Sequence, residues 1–411
     1  MNPEPLRRWL AQPKPSAHRF PYDRVVDVYQ RYGKQLVPKT WTTLLGAARE
    51  RLPEVSGPRR QVAAFLDAVL DKVDGRFDYR TYLALPLLPI PDPDSESEPA
   101  DRLLARRDRL HVLLLSDLAA FELRGLDGTG TPLSELRPDP VLARKRLHHA
   151  VRAAAPALRR LSFDLHAADD PVALARRLVA LACIDRTSDD RLALRTTMLP
   201  VSNVHDEWLF IRTLQTFELT FGLLAVDLSA AVTAVGEDRL PSAGIRLILA
   251  ATLLRETAAL WSLLATMQPE AFHRFRVHTD GASAIQSRAY KLVESLCRAP
   301  DTQRFHSAAY RSAPDVRARI RSGQISLDDA LNAIRADHRT LGEVPALADG
   351  MQRFTAAVHQ WRRTHYRLAV RMLGTERPGT GGTPGTPYLL HGRDNAVFGS
   401  RGPITAGNER S

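Results

Sequence analysis

NVHDEWLFIRTLQTFELTFGLLAVDLSAAVTAV, residues 203–235, is the stretch whose reading decides the fold. Apolar side chains recur in it at steps of three and four, the period of a helix buried over most of its surface. Asn203 is placed to cap the first turn of a helix running from His205 toward Val235, and Asp206 favours its positive end. Downstream, a second apolar helix is expected over about Ala243–Met267, stopping before Pro269, and a third over Ser283–Arg298. Ser326 with Asp329 makes a capping-box-like start, Asp standing in for Glu, for a helix over Leu327–Leu341. The last helix runs from about Val344 to Leu373 and ends at Gly374. Upstream, the polar loop Gly125–Pro140 separates helices over Leu103–Leu123 and Val141–Leu165. Alternating strand patterns are nearly absent, so the fold class is all-α.

The polar, proline-rich run from Pro89 to Pro99 is the clearest break in composition. It divides an N-terminal helical segment, 1–88, from a further helical region, 89–199. The best-defined helices fall within 200–390. The tail 391–411, rich in Gly, Arg, Asn and Ser, is expected to be ill-ordered. A chain of 411 residues with 44% apolar and 25% charged residues has the composition of a soluble globular protein. The net charge of +11 is carried by arginines spread along the chain, with few lysines. No arginine-rich block interleaved with aromatics and no zinc-finger or RNP-like motif accompanies it, which argues against a nucleic-acid partner. No apolar run is read as a membrane span, and Met1–Pro15 lacks a signal-peptide core, so a cytoplasmic protein without a membrane partner is expected. The two cysteines, Cys183 and Cys297, suit a reducing compartment.

Four features could carry chemistry. His365 lies on the last helix in register with Phe354, Val358, Trp361, Leu368 and Met372, so its imidazole points with the apolar face. A neutral imidazole on a rigid, apolar surface is what a heme iron needs, and a packed core histidine fits the same pattern. Gly379-Thr380-Gly381-Gly382-Thr383-Pro384-Gly385 exposes backbone N–H groups, as a ligand-approaching loop or as a linker. It lacks the Gly-Lys-Ser/Thr ending of a P-loop and the preceding strand of a dinucleotide fingerprint. Consecutive residues on a helix point about 100° apart, so His205, Asp206 and Glu207 cannot converge on one metal; capping and helix–helix hydrogen bonds account for them better. Arg276, before the small-residue turn Gly281-Ala282-Ser283-Ala284, can present its fork to a carboxylate or serve as a surface arginine.

Taken in order, these segments resemble the tryptophan 2,3-dioxygenase superfamily. The landmarks are His205-Asp206-Glu207-Trp208-Leu209-Phe210-Ile211, Gln215-Thr216-Phe217-Glu218-Leu219, Leu264-Ala265-Thr266-Met267-Gln268-Pro269, Phe275-Arg276 and Gln286-Ser287. They continue with Trp361-Arg362-X-X-His365, Arg371-Met372-Leu373-Gly374 and Gly379-Thr380-Gly381-Gly382. The resemblance implies an all-helical bundle of that type binding heme b, a homo-oligomer (dimer or tetramer), and an aromatic amino acid with O2 or peroxide as reactants. It makes 200–390 the heme-binding oxygenase core and 89–199 an extra helical insert. His365 matches the proximal iron ligand, with Trp361 and Ser283 beside the cofactor. Arg276 matches the arginine pairing with the substrate carboxylate, Thr380 the loop threonine at the amino-acid moiety, and Phe210 an aromatic wall of the pocket. Asp78-Tyr79-Arg80-Thr81-Tyr82-Leu83 resembles a segment whose tyrosines line a neighbouring subunit's site, which suggests Tyr79 and Tyr82 act across an interface.

Departures from the family pattern bear on the chemistry. Leu214 stands where tryptophan dioxygenases place a distal histidine, and His205 faces nearly the opposite side of the helix. Phe272 replaces a tyrosine and Ile285 a phenylalanine. The family's closing helices after the glycine loop are expected to be missing, replaced by the polar tail. Four readings follow: a dioxygenase of tryptophan or an indole derivative, a heme-dependent hydroxylase of tyrosine or a related phenol, a non-catalytic heme-binding protein, and, last, a basic nucleic-acid binder.

Overall fold

The computed structural model describes residues 1–52, 57–95, 98–165, 170–184, 186–279, 281–336, 344–375 and 385–399. Among these residues regular structure is helical, apart from an isolated parallel bridge between Glu135 and Val204. Before the proline-rich loop come α1 (Glu4–Ala11), α2 (Tyr22–Tyr32), α3 (Lys39–Glu50), α4 (Pro58–Val69) and the single turn α5 (Tyr79–Tyr82). After it, α6 (Ala100–Leu126), α7 (Pro140–Arg160), α8 (Pro171–Ile184) and α9 (Ser188–Thr196) lead to the long α10 (Asp206–Gly236). The chain continues through α11 (Leu240–Glu256), α12 (Ala258–Leu264), α13 (Pro269–Thr279) and α14 (Arg288–Cys297). Short helices α15 (Thr302–Phe305), α16 (Ala308–Arg311) and α17 (Pro314–Arg321) precede α18 (Leu327–Ala336), α19 (Pro345–Leu373) and α20 (Thr386–Arg393). The all-α expectation holds.

The chain packs as two compact units, 1–89 with 108–216 and 262–283, and 90–107 with 217–261 and 284–411. These cut across the boundaries suggested by composition at 88, 199 and 390. Residues 108–199 group with the N-terminal helices, and 90–107 with the second unit.

In the first unit, an apolar core gathers Leu6, Trp9, Phe20, Tyr29, Trp41 and Phe65 from the N-terminal helices. Beside it, the buried Lys34 ammonium donates to Asp71 Oδ2 at 2.8 Å and to the Thr81 carbonyl at 3.1 Å. That pair ties down α5, whose first turn Asp78 caps by accepting from the Thr81 N–H at 2.8 Å. A second buried clasp centres on Arg146 of α7, which donates to Glu122 Oε1 at 3.1 Å, Asp206 Oδ1 at 2.7 Å and the Thr266 carbonyl at 3.2 Å. Arg212 forms a third hub, donating to Asp117, Thr197, Gln215 and the Leu194 carbonyl. Gln215 then donates to the carbonyls of Leu83 and Thr197, both at 2.9 Å.

In the second unit, α11 and α19 approach backbone to backbone. A Cβ on Gly244 would lie 2.5 Å from the Ala346 carbonyl oxygen, and one on Gly350 would lie 2.7 Å from the Gly244 carbonyl oxygen. Glycine at both positions lets α19, the helix carrying His365, seat against α11. Its C-terminus is set by Gly374, at φ 85°, whose N–H reaches the Val370 carbonyl at 2.8 Å.

Several expected details change. Asn203 is not the cap of α10: its amide donates to Glu135 at 2.9 Å, and the bridge to Glu135 holds the chain extended there. The helix expected over Ala243–Met267 is broken at Thr257, whose hydroxyl donates to the Leu254 carbonyl at 2.6 Å and replaces the regular ladder. The helix expected from Ser283 begins at Arg288, with Ser287 as its cap and a 3₁₀ turn, Ala284–Gln286, before it. The Ser326–Asp329 box forms as expected, while the far end of that helix lies outside the described residues. Contrary to the reading of the apolar runs, Asp206–Gly236 and Leu240–Leu264 are long and apolar enough to cross a bilayer by length and composition. Burial inside the protein of 67% and 56% of their most apolar windows accounts for that character. Nor is the region after the glycine loop all tail: α20 follows it, and Val397 and Phe398 are buried, Phe398 with its ring 6.3 Å from Phe354.

Candidate active site

The candidate residues fall into two groups, one in each unit. In the first unit, Phe210 on α10 sits among aromatic rings, with centroids 5.9 Å from Phe272, 5.2 Å from Phe275 and 6.4 Å from Tyr82. Leu214, one turn further along α10, is buried. Arg276 occupies the last turn of α13, half-buried, directly after the fully buried Phe275. The turn leading to Ser283 is held close to the α5 segment: a Cβ on Gly281 would lie 2.8 Å from the Phe77 carbonyl oxygen. Arg276 and Ser283 both keep interactions within the chain.

Tyr79 and Tyr82 are both buried within this chain. The capped turn of α5 aims them inward, and the Tyr82 hydroxyl donates to Glu207 Oε1 at 3.3 Å. Glu207 also accepts from the Val201 and Ser202 N–H groups at 2.7 and 3.0 Å and from the Ser202 hydroxyl at 2.5 Å. Burial outweighs those donors and raises the Glu207 carboxyl to about 7.

His205, Asp206 and Glu207 diverge, as helix geometry requires. The His205 ring lies 3.3 Å from Glu122 Oε2 and packs on Phe121, with centroids 4.5 Å apart. Asp206 takes Arg146 and the Gln268 N–H, the latter at 2.7 Å. The apparent ligand cluster is three separate structural anchors.

In the second unit, His365 is half-buried between two indoles. Its ring stacks on Trp261 with centroids 5.3 Å apart and planes at 25°, and lies 5.3 Å from Trp361. Around them are Phe217, Phe221 and Tyr290, the last stacked on Trp361 at 5.0 Å. Burial, followed by the charge of Lys291, lowers the His365 imidazole to about 4, so it is neutral at physiological pH. No hydrogen bond reaches either ring nitrogen among the described residues. The buried Nε1 atoms of Trp261 and Trp361 have no hydrogen-bond partner either. Thr380 and its glycine neighbours lie outside the described residues.

Sequence reasoning passed over Trp261 and Lys291. Trp261 lies in an apolar helix where a large ring is unremarkable, and only the packing of α12 against α19 brings it onto the imidazole. Lys291 is one of few lysines and is buried in α14, which its spacing within an amphipathic helix does not distinguish from a surface position.

Among the described residues, then, the chain is helical and holds a neutral histidine between two tryptophans on a long, tightly seated helix. Residues 190–318 match the family model described as tryptophan 2,3-dioxygenase. The chain is 28% identical over 233 residues to the tryptophan 2,3-dioxygenase of Paraburkholderia phytofirmans, an alignment covering 48% of this chain and 76% of that protein. It is 27% identical, with the same coverage, to the tryptophan 2,3-dioxygenase of Burkholderia pseudomallei. That of a Polaromonas species is 26% identical over 242 residues, covering 50% of this chain and 81% of the relative. Over this part of its length the chain is similar to the tryptophan 2,3-dioxygenase family, from whose members named here it diverges at 26–28% identity. The family match contains Phe210, Leu214, Arg276 and Ser283, and ends before Trp361 and His365.

Proposed function

We propose that the chain is a heme-dependent oxygenase acting on tryptophan or a close indole derivative, in the manner of a 2,3-dioxygenase. The observation that carries this reading is the His365 imidazole: neutral, without a hydrogen bond to either nitrogen among the described residues, and flanked by two indoles whose buried N–H groups find no acceptor. Such a donor set fits a heme, which His365 would hold through its iron with Trp261 and Trp361 beside the imidazole. When bound, heme b supplies the iron at which the oxidant is activated.

The remaining residues act on the substrate. Arg276 pairs with the amino-acid carboxylate, and Thr380 and Ser283 take its polar neighbours. Phe210, backed by Phe272, Phe275 and Tyr82, offers a flat apolar wall to an indole. Tyr79 supports the same wall from α5. Leu214 excludes water from its side of the pocket and offers no acceptor to an indole N–H, so orientation rests on the carboxylate clamp and ring packing. The same reading makes the protein a cytoplasmic homo-oligomer, in keeping with its free cysteines Cys183 and Cys297.

The test is turnover of tryptophan and tyrosine by reduced, heme-loaded protein under isotopically labelled dioxygen, and separately with peroxide, read by product mass. A tryptophan product carrying both atoms of one dioxygen molecule is expected. A singly oxygenated tyrosine product, or heme binding without turnover of either, would overturn the assignment.

A further inference from the structure

A cavity of about 580 Å³ lies within the second unit, bordered by α14, α15, α16, α19, α20 and the residues just after α14 and α20. Its volume falls in the range of small-molecule sites, about 300–1,000 Å³. His365 and Trp261 are not among its lining residues, although Tyr290, which stacks on Trp361, is.

Three cations converge on Glu294, and two of them, Arg304 and Arg362, line the cavity with it. Lys291 donates to Glu294 Oε2 at 2.8 Å, Arg304 reaches both Glu294 oxygens at 3.0 Å, and Arg362 donates to Oε1 at 3.4 Å. Their charges overcome the effect of burial and hold the Glu294 carboxyl down at about 2. One ionised carboxylate therefore faces three cationic side chains. At the rim Arg298 offsets Asp301, so the inner excess of positive charge is not cancelled there. Excess charge in a partly desolvated site favours an anion.

Two phenols sharpen this. Tyr388 accepts from Arg304 Nη1 at 2.5 Å, and Tyr290 accepts from Arg362 Nε at 2.9 Å. With its oxygen engaged as an acceptor, each hydroxyl still has a proton to donate. No acceptor for either proton is found among the described residues. Both tyrosines line the cavity, as do Val293, Val358, Val397 and Pro387. The polar equipment suits an anionic group and the apolar walls suit a carbon skeleton beside it.

We infer that this cavity binds a small organic carboxylate, its charge taken by Arg304 and Arg362 with the Tyr290 and Tyr388 hydroxyls as donors. The site is independent of the proposed oxygenase reaction.

Isothermal titration of the full chain with benzoate, and separately with inorganic phosphate, tests it, before and after heme loading. Benzoate should bind saturably at one site, survive heme loading, and outcompete phosphate. Arg304→Gln should weaken it roughly tenfold or more. Ala396→Trp, at the exposed rim, should do the same by filling the cavity, and it keeps the test open if the arginine variant fails to fold. Absence of saturable binding, affinity unchanged in Ala396→Trp, or equal affinity for phosphate would overturn the inference. Loss of binding on heme loading would do so too, by assigning these cations to the propionates of the heme.

Discussion

His365 and Trp261 stack with ring centroids 5.3 Å apart and planes inclined by 25°, while Trp361 closes the imidazole from another side. A protonated ring in this setting would lose solvation and face the Lys291 charge, so the pair holds the imidazole neutral.

That arrangement predicts a pH dependence of stability. An imidazole at about 4 when folded and 6.5 when unfolded binds more protons in the unfolded chain between those values. Stability from this residue is therefore present above pH 6.5 and lost as pH falls toward 4, by at most about 3 kcal/mol. Glu207, raised to about 7 from 4.5, acts in the opposite sense, losing stability as pH rises through that interval. Denaturant midpoints of wild type and His365→Phe, measured across this range in heme-free protein, isolate the histidine. Wild type should lose stability relative to His365→Phe as the solution is acidified, and a difference that does not change with pH would refute the account.

Arg146 is buried with Glu122 and Asp206, and its loss leaves two carboxylates without their cation. Arg146→Ala should destabilise the fold by about 3–5 kcal/mol, the scale for breaking a buried ion pair from one side. Urea unfolding monitored by circular dichroism measures it, and a change under about 1 kcal/mol would mean the clasp is not structural.

The close approach of α11 and α19 makes Gly244 sensitive to a single methyl group. Gly244→Ala should cost about 1–3 kcal/mol through displacement of α19. Tryptophan emission should shift with it, because Trp361 rides on that helix and Trp261 faces it. A variant with unchanged melting temperature and emission would show that the helices accommodate the methyl group freely.

Much of this fold is legible from spacing alone, because long apolar helices such as α10 and α19 announce their period and their stops. The details that failed are those decided by partners distant in sequence. Asn203 has the chemistry of a cap, yet Glu135 takes its amide; Ser283 looks like a helix start, yet Ser287 is the residue whose hydroxyl meets an orphaned N–H, at 3.1 Å. The helix period placed His365 on an apolar face, but nothing local identified Trp261 as its stacking partner. Resemblance alone singles out Tyr79 and Tyr82, whereas their burial within one chain depends on Lys34, Asp71 and Glu207.

Arg276 is the residue proposed to hold the substrate carboxylate. Arg276→Leu should weaken tryptophan binding by about 2–5 kcal/mol, the cost of leaving a desolvated carboxylate unpaired. Affinity from spectral or calorimetric titration checks this, and an unchanged dissociation constant would remove the clamp from the account.

The central claim is that His365 ligates a heme iron, and the absorption spectrum of heme-reconstituted wild type and His365→Ala tests it most directly. Wild type should bind one heme per chain with a sharp Soret band, and His365→Ala should fail to retain heme at that stoichiometry while keeping its helical circular dichroism. An identical Soret spectrum and heme content in the variant would contradict the claim.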